Sequence, residues 1–403
     1  MSTEWKTAAV GECLVPVSVL GKSKILTKDY KAVGSFPVLD QGQERIAGWT
    51  DALDAVIDNP LPLIVFGDHS RTFKYVDEPF ARGADGTQLL SPVDEIDPLF
   101  FFYACCAIDL PSRGYNRHFT LLKEKEFSYP EERSVQRSIA SLLKRAERAI
   151  TVQGELVGLL EQTKTAAMQQ LFTRGIRGEA QKESEIGPIP ESWGLDTIDE
   201  HFSVVSGGTP SRGNAAFWSG GTIPWVKTTE VNYSVITETE EHITQAGLDG
   251  SAAKMLPPGT LLMAMYGQGV TRGKVGILGI EASCNQACAA MTPTDGVVVP
   301  RYLYHYLTSR YEAIRSLAHG GQQQNLNLDI VRKIDVPVPP SPGEQQEIVE
   351  VLDALDRKID LRRRKRDVLN QLFKSLLHKL MTGEVSVDDL DLSALPASEG
   401  SAA

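Results

Sequence analysis

The sequence predicts an α+β chain built twice on one plan: two globular parts in a pseudo-twofold arrangement, separated by two long antiparallel coiled-coil helices. Three observations predict it. The stretch from Gln136 to Thr173 aligns without gaps on Gln345 to Thr382, with identities at Gln136/Gln345, Ile139/Ile348, Leu143/Leu352, Arg148/Arg357, Ile150/Ile359, Leu160/Leu369, Leu171/Leu380 and Thr173/Thr382. Both stretches carry a strict 4-3 apolar spacing. The residues before each stretch also match, more loosely: Trp5 with Trp193, Phe66-Gly67 with Tyr266-Gly267, Lys74 with Lys274, Pro98 with Pro300, Gly114 with Gly321 and Pro130 with Pro337. Self-similarity on this scale marks a duplicated structural unit.

Each globular part reads as short strands broken by Gly and Pro, at Leu61–Phe66, Thr260–Tyr266 and Lys274–Ile280. The aromatic-rich stretches Leu99–Cys106 and Arg301–Leu317 read as helices. The repeated segments are clearer. One seam runs Ile139, Leu143, Ala146, Ile150, Gln153, Val157, Leu160, Lys164, Ala167, Leu171, and the other Ile348, Leu352, Leu355, Ile359, Arg362, Arg366, Leu369, Phe373, Leu376, Leu380. That is coiled-coil spacing, in helices roughly 57 Å long. A duplicated unit with matching seams pairs them antiparallel. With midpoints superposed, Gln153 is expected opposite Arg366, Glu155 opposite Arg364 and Glu161 opposite Lys358.

Composition bounds the class. At 403 residues with 42% hydrophobic and 23% charged, two to three domains are expected. No run approaches the roughly 18 apolar residues that a membrane span needs, and the start shows no secretion signal. Cys13, Cys105, Cys106, Cys284 and Cys288 are odd in number and form no C-x-x-C, so a cytoplasmic location is expected, with Cys284 and Cys288 as buried structural thiols and no metal site. The net charge of −11 runs against strong stand-alone nucleic-acid binding, which rests on phosphate neutralisation. Part of it lies after Gly383, where Glu384, Asp388, Asp389, Asp391 and Glu399 meet no Lys or Arg.

Catalytic signatures occur only in incomplete form. Gly267-Gln268-Gly269-Val270-Thr271-Arg272-Gly273 has the wrong spacing for a dinucleotide loop, and a strand follows it where a helix would be needed. Asn59-Pro60-Leu61-Pro62 lacks the consecutive prolines and the aromatic of an amino-methyltransferase loop, and no phosphate-binding G-x-x-x-x-G-K-[ST] occurs. Asp68, His69 and Ser70 are neighbours in sequence and read as loop polar groups. No catalytic residue is expected.

Matched loops hold polar and basic candidates for recognition, to which the family resemblance given below assigns contact with DNA. In the first part they are Ser70, Arg71, Lys74, Tyr115, Asn116, Arg117 and His118. In the second they are Thr209, Ser211, Arg212, Gln268, Thr271, Arg272, Lys274, Gln322, Gln323 and Asn325. Amides pair with adenine, and arginine with guanine or phosphate; the plainer alternative is loop amides bonding their own backbone. The basic run Arg362–Arg366 sits among Asp356, Asp360 and Asp367 and reads as a helix-pairing or subunit contact. Helix pairing itself falls to Ile139, Leu143, Ile150, Leu160, Leu171, Ile348, Leu352, Ile359, Leu369 and Leu380.

With this organisation in place, the chain resembles a specificity subunit of a type I restriction-modification system. Ile186-Gly187-Pro188-Ile189-Pro190-Glu191-Ser192-Trp193 resembles the family's linker into a second target-recognition domain, followed by the loop Ser206-Gly207-Gly208-Thr209-Pro210-Ser211-Arg212. Val336-Pro337-Val338-Pro339-Pro340 leading to Glu344-Gln345-Gln346-Glu347-Ile348-Val349 resembles the junction into the second conserved helix, which closes at Leu380-Met381-Thr382-Gly383. The first junction, Phe127-Ser128-Tyr129-Pro130-Glu131-Glu132, keeps only the proline. The expected division is 1–132, first target-recognition domain; 133–185, first helix and linker; 186–342, second target-recognition domain; 343–383, second helix; 384–403, disordered acidic tail. The resemblance implies a non-catalytic subunit that reads a split, asymmetric site in double-stranded DNA. It further implies two adenine-methylating modification subunits and restriction subunits as partners, which would hold S-adenosylmethionine, ATP and Mg. The alternatives are a scaffold that reads no DNA, or the same role in a methyltransferase-only or type IIB-like complex.

Overall fold

A computed structural model describes residues 4–83, 86–111, 118–267, 270–319 and 325–390. The chain divides into two compact units, one formed by Met1–Glu155 with Arg363–Ala403 and the other by Leu156–Arg362. Both boundaries fall inside long helices. Each unit therefore holds one head, the beginning of the helix that follows it and the end of the other helix.

The two helices are Arg133–Arg174 and Pro342–Met381. Of the expected pairing residues, Ile139, Leu143, Leu171, Ile348, Leu352, Ile359 and Leu380 are buried, and Ile150, Leu160 and Leu369 half-buried. Apolar residues off the seam, such as Val152, Leu159, Leu361 and Val368, are exposed. The 4-3 spacing thus identifies the packed face. In the first unit, Ile139 and Leu143 share a core with Leu376, Leu380 and Met381. In the second, Met168, Leu171 and Phe172 share one with Ile348, Val349 and Leu352. Start meets end in both, so the paired segments run antiparallel. Lys164 reaches Asp356 at 2.5 Å within the second unit, one residue from the expected register.

The first head contains two four-stranded sheets. One orders Leu14–Val15, Thr87–Pro92, Leu63–Gly67 and Phe73–Val76; the other orders Gly48–Thr50, Phe36–Leu39, Phe80–Arg82 and Val56–Ile57. The second head has a five-stranded sheet, ordered Phe202–Ser206, Cys288–Pro293, Leu261–Ala264, Val275–Leu278 and Val235–Ile236. It also has a three-stranded sheet of Glu241–Ile243, Ile223–Val226 and Ser283–Cys284. Among the described residues, the first head's principal core is aromatic: Phe66, Phe100, Phe101, Phe102 and Tyr103 lie in it. The aromatic stretches are helical as expected, at Pro98–Ala107 and at Pro300–Ser309 followed by Tyr311–Ser316.

The joint between head and helix is built alike in both units. The strand Trp5–Ala9 pairs antiparallel with Glu126–Pro130, and Gly194–Thr197 pairs antiparallel with Asp335–Val338. Each long helix then sends one fully buried glutamine back into its head. Gln136 accepts from the Asp97 N–H at 2.7 Å and donates to the carbonyls of Glu95 (3.2 Å) and Pro130 (2.8 Å). Gln345 accepts from the Val299 N–H at 2.8 Å and donates to the Val297 carbonyl at 2.9 Å. These amides, themselves fully buried, pair with main-chain groups at the entrance of the aromatic helix. The far ends also match. Gly175 and Gly383 close the two helices at positive φ (64° and 70°), with Trp193 and Trp5 against them. A left-handed residue at this position is the usual glycine helix stop.

Cys284 and Cys288 are buried as expected, as are Cys13 and Cys105, while Cys106 is exposed. One expectation is corrected. The acidic tail begins with structure: Val387–Asp389 form a 3-10 turn capped by the Ser386 hydroxyl, and Val387 and Leu390 pack on the first core. No helix of the described residues is long and apolar enough to cross a membrane.

Candidate nucleic-acid interface

In the first head, the loop joining Leu63–Gly67 to Phe73–Val76 is used by the protein itself. Asp68 is buried; its carboxylate accepts from the N–H groups of His118 (2.6 Å) and Phe119 (2.7 Å), and its carbonyl lies 2.8 Å from His118 Nδ1. Arg71, at φ 62°, donates to the Leu110 carbonyl at 2.7 Å. Ser70 pairs with Thr72 at 2.7 Å. Lys74 is buried with its Nζ 3.6 Å from Asp40, and burial pushes its pKa below the usual lysine value. The expected DNA contacts through Lys74 and His118 do not fit this placement, because both side chains are buried within the head. Tyr115, Asn116 and Arg117 lie outside the described residues, as do Gln268, Gln322 and Gln323.

In the second head, Gly267–Lys274 connects two antiparallel strands, Leu261–Ala264 and Val275–Leu278, and no helix follows it. Lys274 donates to the Asn232 carboxamide at 2.7 Å and sits 5.6 Å from the Tyr233 ring. Arg315 lies over Tyr311 at 5.3 Å, and Tyr311 stands edge-on to Tyr233. Thr271 and Arg272 are half-buried in this cationic, aromatic neighbourhood, and Asn325 is exposed.

The loop Ser206–Arg212 is pressed into the head. A Cβ on Gly207 would meet the Cys284 carbonyl at 2.2 Å, and one on Gly208 the Ala253 nitrogen at 2.2 Å. Only glycine lets the chain approach so closely. The Trp225 indole donates to the Gly208 carbonyl at 2.8 Å. Arg212 is exposed but not loose: its guanidinium lies 3.8 Å from the Trp218 ring centre and is paired with Glu241. Lys227 is engaged by Glu240 and Glu241. Thr209 donates to Gln286, and Ser211 is exposed. Sequence reasoning missed Gln286, Asn285, Thr228 and Asn232; the adjacent amides Asn285-Gln286 between two cysteines were the available signal.

Where the aromatic helix meets the helix pair, the units differ. In the first, the Tyr103 hydroxyl donates to Glu147 at 2.9 Å and its ring stands edge-on to Phe373. In the second, His305 Nε2 and Arg301 Nε both lie 2.8 Å from Asp353 Oδ1, while Asp356 takes Lys164. Burial lowers the His305 pKa even against the pull of Asp353. His305, Asp353 and Asp356 approach as metal ligands would. Arg301 and Lys164, however, already neutralise the two carboxylates. Asp196, Glu200 and His201 also cluster. There His201 spans Asp295 (2.7 Å) and Asp196 (3.0 Å), leaving neither ring nitrogen for an ion.

Two unlike heads, each joined in the same way to its own long helix, define a class of duplicated α+β chain. Residues 190–371 match the family model of the type I restriction modification DNA specificity domain. A type I restriction enzyme specificity subunit of Escherichia coli is 24% identical over 384 residues, covering 88% of this chain and 90% of its own. A second, from Methanocaldococcus jannaschii, is 29% identical over 211 residues, covering 50% of this chain and 47% of its own. The fold is similar to that of the type I S subunit from M. genitalium, with TM-score 0.65 at 17% identity, covering 94% of this chain and 96% of that one. It is also similar to a chain in a structure of type I restriction-modification complex assembly, with TM-score 0.56 at 14% identity, covering 96% and 100%. Over most of its length the chain is thus similar to type I restriction-modification specificity subunits.

Proposed function

We propose that this chain reads a split, asymmetric site in double-stranded DNA, one half per head, for two modification subunits that methylate adenine and for restriction subunits that join them. The observation that carries the reading is one scaffold, repeated to the level of the buried glutamine, bearing two unlike sets of loops. A repeated scaffold suits two copies of one partner, and unlike loops suit two different half-sites. The chain is a non-catalytic, cytoplasmic subunit in this reading; S-adenosylmethionine, ATP and Mg belong to the partner subunits.

The acidity bears on mechanism. In the second head, Arg212 and Lys227 are already paired with Glu240 and Glu241. Phosphate neutralisation by this chain is therefore modest, and the modification subunits supply much of the grip. DNA binding by the chain alone is expected to be weak and salt-sensitive, and to tighten when the modification subunit is added.

The deciding experiment maps methylated adenines in DNA from cells carrying the chain with its modification partner. One bipartite, non-palindromic motif is the expected result. The acidity also favours a scaffold reading, which prevails if the purified complex shows no sequence preference. Tight binding of S-adenosylmethionine by the isolated chain would overturn the non-catalytic assignment.

A further inference from the structure

The turn Cys284–Cys288 in the second head is fixed far more firmly than a surface turn requires. Asn285 N–H donates to the Val226 carbonyl (3.0 Å), Cys288 N–H to the Asn285 carbonyl (3.1 Å) and Met265 N–H to the Ala287 carbonyl (2.8 Å). The Asn285 side chain accepts from Ala287 N–H at 3.2 Å and donates to the Thr228 hydroxyl at 2.9 Å. From the other side, Gly208 N–H donates to the Cys284 carbonyl (2.9 Å) and Gly207 N–H to the Cys288 carbonyl (3.2 Å). Cys284, Ala287 and Cys288 are buried and Asn285 is half-buried, so Gln286 is the exposed residue of the turn. Its carboxamide oxygen accepts from Thr209, the residue that follows the two close-packed glycines.

We propose that Gln286, oriented by Thr209 on this pinned turn, reads an adenine in the half-site of the second head. The inference rests on the proposed DNA-reading role and assigns one determinant within it. The chemistry is specific. With Thr209 on one lone pair of Oε1, the other lone pair and the Nε2 donors remain. That is the acceptor–donor pair complementary to adenine N6 and N7 in the major groove. The cations nearby are held by glutamates, so discrimination here falls to amides and hydroxyls. A glutamine in a mobile loop would lose rotamer freedom on binding, whereas one fixed in advance loses less.

The test maps methylated adenines in cells carrying the complex with wild-type chain, Gln286→Ala or Thr209→Val. For Gln286→Ala, preference at one adenine position of one half-site is expected to relax by about tenfold or more, with the other half unchanged. Thr209→Val should relax the same position to a smaller extent. A wild-type motif kept at every position by Gln286→Ala overturns the inference and leaves the DNA-reading role standing. A wild-type chain that directs no split motif removes that role and the inference with it. If Gln286→Ala abolishes methylation, binding of the purified complex to duplexes substituted at each base decides. Flattened preference at one position supports the assignment; equal weakening on every duplex overturns it.

Discussion

The two units use the same joint and different clasps. Gln136 and Gln345 tie each long helix into its head by the same kind of bond to the same kind of main-chain group. A few residues along, the first unit closes with Tyr103 on Glu147 and Phe373, the second with His305 and Arg301 on Asp353. The repeated element meets backbone, whose chemistry is the same in every head. The divergent element meets side chains, which changed with their own heads.

The largest effect should come from breaking what is shared. Gln136→Leu leaves one N–H and two carbonyls of the first unit without this partner, and Gln345→Leu leaves one N–H and one carbonyl of the second. Losses of about 3 kcal/mol are expected, larger for Gln136, read by denaturant unfolding. Equal, small losses would show that the joint is not held by these amides. Next come the glycines that only the second head requires. Gly207→Ala and Gly208→Ala place a Cβ against backbone that cannot swing aside, costing about 2 kcal/mol or more, with loss of methylation in one half-site. The clasps should separate next. Asp353→Ala strips His305 of its carboxylate and leaves Arg301 only Asp356 at 3.8 Å, and is expected to cost about 2 kcal/mol, less than for a fully dry ion pair. Glu147→Gln still accepts from Tyr103 and should cost about 1 kcal/mol.

The smallest effect is a pH dependence confined to the second unit. Burial pulls the His201 pKa down, but the hydrogen bonds to Asp295 and Asp196 outweigh it and leave it above the usual histidine value. The protonated form is thus favoured by folding. Its stabilisation is fully present below about pH 6.5, histidine's unfolded value, and is lost as pH rises through the higher folded pKa. His201→Asn should flatten the unfolding midpoint across that window, and a midpoint slope identical to wild type would disprove the linkage.

The periodic and repeated parts of this fold were legible in the sequence. The seam from Ile139 to Leu171 shows itself because burial on a helix recurs at a fixed spacing. Gln136 and Gln345 stand out once the repeat is aligned, although their partners do not, since main-chain groups leave no trace in residue identity. The heads were less legible. Lys74 was matched to Lys274, yet one is buried beside Asp40 and the other reaches Asn232 beside Tyr233. Nothing local to a lysine says which. Gln286 is not legible in the sequence, because its fixed position depends on Val226, Gly207, Gly208 and Met265, all distant along the chain.

The glutamine joint has a consequence for how such a chain changes over time. In the first head it grips main-chain atoms of Glu95, Asp97 and Pro130, and in the second those of Val297 and Val299. Acidic residues in one socket and valines in the other are held equally well, since neither side chain enters the bond. A socket indifferent to side chains asks of a newcomer only a strand end and a helix start in the right place. Heads can then drift, or be traded for unrelated loops, without any matching change in the helices.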